Sequence, residues 1–160
     1  MIGSLLLAMT LATSTGGSAQ ALKNFQAKTL NLSVPVSWAH TNEEGTEKFK
    51  APTGEAFFTL DVGAVQTAGM KPQVCLDKIL AAMGGGNWEP VSLGSNPAAK
   101  RVNVDNATED GSNKLRTITY VGCNGKTTWS LIFSTDDKKK DLYEPLATQI
   151  VQSVSYAKGK

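Results

Sequence analysis

The sequence predicts an α+β domain in which a largely antiparallel sheet is covered by helices. Three observations carry this. Two strand-like runs, Lys114 to Cys123 and Lys126 to Ser134, flank Asn124-Gly125, a dipeptide suited to the two positive φ angles of a type I′ hairpin turn. Ala56 to Gln66 alternates, with Phe58, Leu60, Val62 and Ala64 on one face and Thr59, Asp61 and Gly63 on the other. Two further segments carry apolar residues at helical spacing, one opened by Pro72 and one near the C-terminus.

Taken in order, Ile2 to Ala12 is almost wholly apolar and leads through Thr13–Ser18 to Ala19-Gln20-Ala21, the A-x-A form of a signal-peptidase site. The run falls short of the roughly 20 residues a membrane-crossing helix needs. Threonines and glycines break any helical stripe that a core helix would show. Residues 1–21 are therefore expected to be a secretory signal peptide, although the α-amino group is the only positive charge before the run. Residues 22–160 are expected to form a single domain, with no stable membrane insertion after cleavage.

Thr29 to Val34 alternates until Pro35, and Trp38 is expected to anchor on the core. Glu43–Thr46 reads as a polar turn, and Glu47–Lys50 as a short strand stopped by Pro52-Thr-Gly. In the first helix Pro72 sits where its missing N–H costs nothing, Cys75, Ile79, Ala82 and Met83 share a stripe, and Gly84-Gly85-Gly86 ends it. Trp88–Leu93 is a weak strand. Lys100–Asn106 places Val102 and Val104 on one face and Arg101, Asn103 and Asp105 on the other. For the last helix, Asp141-x-x-Glu144 offers a capping box, and Leu142, Leu146, Ile150 and Val154 recur every fourth residue, supported by Tyr143 and Ala147.

Composition and motifs exclude more chemistry than they suggest. The 16 Lys+Arg and 14 Asp+Glu leave a net charge of +2, too small an excess to indicate nucleic acid as partner. Cys75 and Cys123 form an even pair, and in an oxidising compartment such a pair bonds. Two buried free thiols are the alternative. Closing a loop of about 50 residues stabilises a fold by up to ~4 kcal/mol on the chain-entropy model. His40 is the only histidine, so a histidine-assisted nucleophile and a zinc site both lack ligands or bases. Gly125-Lys126-Thr127 has Tyr120 where a phosphate-binding loop needs glycine, and Asn106–Gly111 lacks the closing glutamate of a calcium loop, with Thr117 in its place. Glu43-Glu44, Glu109-Asp110 and Asp136-Asp137 fall in solvated turns. No catalytic residue, cofactor or metal is expected. The one surface that stands out is the polar sheet face of Arg101, Asn103 and Asp105, joined by Asp61 and Arg116.

Leu32-Ser-Val-Pro35-Val-Ser-Trp38, the strand Ala56–Val65 and the closing run from Leu142 to Val154 resemble the Mog1/PsbP-like family over most of the mature chain. The resemblance implies an α-β-α sandwich that serves as a scaffold for binding and assembly. Relatives bind a small GTPase, support a photosystem, act in the envelope or chaperone secreted effectors. No family site transfers residue by residue. The expectation is an exported, periplasmic or secreted, non-catalytic protein whose partner is another protein. A small-ligand binder, or an enzyme using a polar cleft on the sheet, is the alternative.

Overall fold

The computed structural model describes residues 20–65 and 69–157. All but two residues of the expected signal peptide, and with them its apolar run, lie outside that range. Strands β1 (Leu22–Ala27) and β2 (Leu30–Pro35) pair antiparallel, and the short β10 (Ser155–Tyr156) joins the other side of β2. The remaining strands are β3 (Ala39–Glu43), β4 (Thr46–Lys50), β5 (Ala56–Ala64), β6 (Glu89–Leu93), β7 (Asn96–Asn106), β8 (Lys114–Cys123) and β9 (Thr127–Asp136). They form one sheet in the order β3-β4-β5-β9-β8-β7-β6, antiparallel throughout. Helix α1 (Pro72–Ala82) lies against β7 and β8 on the outer face, and α2 (Lys140–Gln152) packs against β9 and β2 on the inner face. This is the α+β layering expected from the sequence.

Alternation along each strand sends the large apolar side chains inward. Phe49, Phe58, Leu60, Leu131 and Phe133 are fully buried beneath Leu30, Val34 and Ile150. Trp38 is anchored as expected, its ring 5.9 Å from both Phe58 and Phe133 and 6.3 Å from Tyr143. Trp129 lies across β8 because its neighbour is Gly122: a Cβ there would meet the indole at 2.6 Å. Its Nε1 donates to the Tyr156 hydroxyl at 2.9 Å, tying β10 to the core.

Several local expectations shift. Leu22–Ala27 and Ala39–Glu43 are strands although neither alternates clearly, because an edge strand needs pairing more than it needs a buried face. The first strand of the lower hairpin, β3, closes on Glu44-Gly45, where both φ angles are positive (52° and 92°), so the type I′ turn sits there. In the β8–β9 hairpin the central residues are Gly125-Lys126 instead of Asn124-Gly125, and only Gly125 has positive φ. Asn124 serves from the side, its Oδ1 accepting from the N–H groups of Lys126 (2.9 Å) and Thr127 (2.8 Å). No Cβ fits at Gly125, since it would lie 2.4 Å from the Met70 carbonyl oxygen.

Strand β7 starts at Asn96, four positions before the expected Lys100. The capping box of α2 does not form. Asp136 instead accepts from the Lys138 N–H and starts a 3-10 turn, Asp137–Lys139, that leads into the helix. The buried stripe of α2 is Tyr143, Leu146, Ala147, Ile150 and Val151, which leaves Leu142 55% exposed. On α1, Cys75 and Leu76 are buried while Ala82 faces solvent.

Candidate interaction surface

Pairing registers assign each candidate residue to a face, because directly opposed residues share one. Asp61 opposes Ser130, which opposes Val121 beneath α1. Arg101, Asn103 and Asp105 oppose Thr119, Thr117 and Leu115, two-residue steps from Val121. These four residues therefore lie on the outer face. Arg116 opposes Val104 and lies on the inner face. There its Nε meets Asp137 at 2.9 Å and its Nη1 meets Glu144 at 3.2 Å. Arg116 fixes the entry to α2 and is not part of the outer polar surface.

The outer group divides further. Asp61 accepts from the Thr46 hydroxyl at 2.5 Å, on the far side of β8 and β9 from β7. Arg101 holds down the glycine loop: its guanidinium lies 4.6 Å from the centre of the Trp88 ring, and its Nη1 donates to the Gly85 carbonyl at 3.1 Å. The same carbonyl accepts from Trp88 Nε1 at 3.0 Å. Arg101 Nε is buried with no partner among the described residues. Asn103 and Asp105 remain exposed at the sheet's margin. Alternating with them, on the opposite side of the same strand, Val102 and Val104 are 37% and 43% exposed. Sequence patterning separated these valines from the polar residues but gave no hint that they would be uncovered. That depends on β6 beginning only at Glu89, opposite Lys100, with no strand residue opposite the later part of β7.

The other chemical groups are used structurally. Cys75 and Cys123 are joined in a disulfide that ties α1 to β8. His40 Nε2 lies 2.7 Å from Glu47, and its ring stacks on Phe49 at 4.6 Å and meets the edge of Phe25 at 4.9 Å. In the Asn106–Asn113 loop, Asp110 accepts from Thr108 and from both groups of Ser112. The Thr108 hydroxyl above all, then the Ser112 contacts, lower its pKa to about 2. Among the described residues no three His, Cys, Asp or Glu side chains gather as a metal site would require, and no helix is long and apolar enough to cross a membrane. A mostly apolar groove of about 870 Å³ runs between α1 and the β6–β7 hairpin, floored by Leu76, Leu80, Trp88 and Ala99.

No family model matches the sequence, and no curated protein does either. Solved structures do. The yeast Ran-binding protein Mog1p, from Saccharomyces cerevisiae, superposes with a TM-score of 0.50 at 10% identity, covering 86% of this chain and 96% of Mog1p. The chain has a Mog1-like fold. A crystal structure from Bacteroides thetaiotaomicron gives a TM-score of 0.65 at 12% identity and covers 87% of this chain. This chain spans about half of that protein, 49% of its length. Cyanobacterial PsbP from Synechocystis gives 0.48 at 12% identity, over 91% of this chain and 98% of its own. The match to Mog1p bears out the fold that the resemblance implied, while identities this low speak to the fold alone.

Proposed function

We propose that this is an exported, non-catalytic binding protein that acts on another envelope or secreted protein. The observation that carries the reading is the outer margin of β7, where Asn103 and Asp105 stand exposed beside a latched Arg101 on a rigid sheet. Polar groups preset on a strand recognise a partner with little ordering cost. Two findings support it. A protein of the same fold, Mog1p, is a Ran-binding protein, and the Cys75–Cys123 disulfide suits an oxidising compartment.

The test is to tag the mature chain at its C-terminus, crosslink it gently in its native host and identify what co-purifies. A stoichiometric protein partner that is lost on Asn103→Ala and Asp105→Ala is the expected result. Chain recovered alone from both envelope and medium contradicts the reading. The groove between α1 and the β6–β7 hairpin favours a second reading, a small apolar ligand, since its volume falls in the range of ligand pockets. A fluorescent apolar probe displaced by extracts of the host would favour that reading.

A further inference from the structure

Strand β6 is half as long as the strand it borders. It pairs with Asn96–Lys100 only, so Val102–Asn106 has no strand on that side among the described residues. The hairpin turn Gly94-Ser95 spans two residues, which makes Leu93 and Asn96 a hydrogen-bonded pair. Counting along β7, Asn96, Ala98 and Lys100 bond towards β6, and Arg101, Asn103 and Asp105 towards β8. The bond from the Ala107 N–H to the Asn113 carbonyl, 2.8 Å, continues that second series. Val102, Val104 and Asn106 therefore present their N–H and C=O groups to the open side.

The other margins of the large sheet are protected. In β6 the outward-facing positions include Pro90, which has no N–H to offer. Strand β3 is wholly polar, Ala39 apart, and gives an incoming strand no apolar surface. Among the described residues of this sheet only Val102–Asn106 joins free backbone groups to exposed valines, without proline or lysine.

We propose that this segment pairs antiparallel with the same segment of a second copy, about a two-fold axis at Val104, joining two seven-stranded sheets into one. Val102, Val104 and Asn106 exchange hydrogen bonds with Asn106, Val104 and Val102 of the second copy. The valines meet on the inner face, and on the outer face Asn103 lies opposite Asp105. No like charges are directly opposed, and the Asn103 side-chain amide faces the Asp105 carboxylate of the second copy, to which it can donate. A register centred one residue earlier would set Asn106 against Lys100, a place Glu89 already fills. Five residues of strand bury little surface, so the dimer is weak. This inference goes beyond the binding reading and needs no other protein.

The test is sedimentation velocity of the purified mature chain from about 10 μM to about 1 mM, the range in which small interfaces associate. The wild type is expected to shift from monomer to dimer. Val104→Lys and Val104→Glu each place like charges on the axis, and each is expected to stay monomeric with an unchanged circular dichroism spectrum. Mixed one to one, the two variants pair opposite charges and dimerise. A wild type that stays monomeric throughout, or a dimer that both variants leave intact, overturns the proposal.

Discussion

On the inner face of the large sheet, α2 and the three-stranded sheet bury a continuous core that includes Phe49, Phe58, Leu60, Leu131, Phe133 and Ile150. On the outer face α1 forms a much smaller cluster, Leu76 against Ala99 and Val121 with Ile79, Leu80 and Met83 partly buried around it, and a covalent bond from its buried Cys75 to Cys123 holds it there. The difference teaches where each property resides. Stability comes from the inner layer, because buried apolar area is what opposes chain entropy. The outer face and its β7 margin are left incompletely covered.

The strongest way to break this comparison is in the inner core. Phe133→Ala is expected to lower unfolding free energy by about 3–5 kcal/mol, measured by urea titration, because the surrounding rings cannot close the cavity. Removing the staple with Cys75→Ala and Cys123→Ala is expected to cost up to ~4 kcal/mol. Its signature should be local: cleavage by protease within α1 under conditions where β5, β8 and β9 resist. If the inner strands are cut as readily, the two faces do not differ in the way described. Arg101→Ala should cost about 1 kcal/mol, the worth of a cation–π contact with its hydrogen bond, and should raise amide exchange in Gly84–Trp88 alone.

The smallest effect near neutrality concerns the inner tyrosines. Burial, first of all, raises the phenol pKa of Tyr120 and of Tyr156 above the ordinary value. A raised pKa disfavours the anion in the folded state. The contribution is therefore fully present below about pH 10 and is lost as pH rises through the folded-state values. Absorbance at the phenolate band should show these tyrosines titrating late, together with the onset of alkaline unfolding.

The sequence made legible whatever depends on repetition along a segment. The alternation of Ala56–Ala64 and the course of both helices lie where their patterns place them, the β8–β9 hairpin forms with its turn one residue past Asn124-Gly125, and an even cysteine pair bonded as expected. Features set by neighbours were not legible. Strand β1 has no clear alternation, because it is a sheet margin whose Phe25 alone reaches across to His40 and Phe49. Glu144 has the spacing of a capping residue but is drawn to Arg116, whose own face depends on the register of β8. The margin of β7 followed the same rule. Val102 and Val104 alternate like core residues, and only the length of β6 decides that they are exposed.

The most direct test of a stable inner layer with a bare β7 margin is residue-resolved amide exchange in β7, in dilute and in concentrated protein. In dilute solution Arg101, Asn103 and Asp105 should exchange slowly and Val102, Val104 and Asn106 fast, the fast set slowing as concentration rises. Equal protection of both sets in dilute protein, or exchange at Val102, Val104 and Asn106 that does not change with concentration, would contradict it.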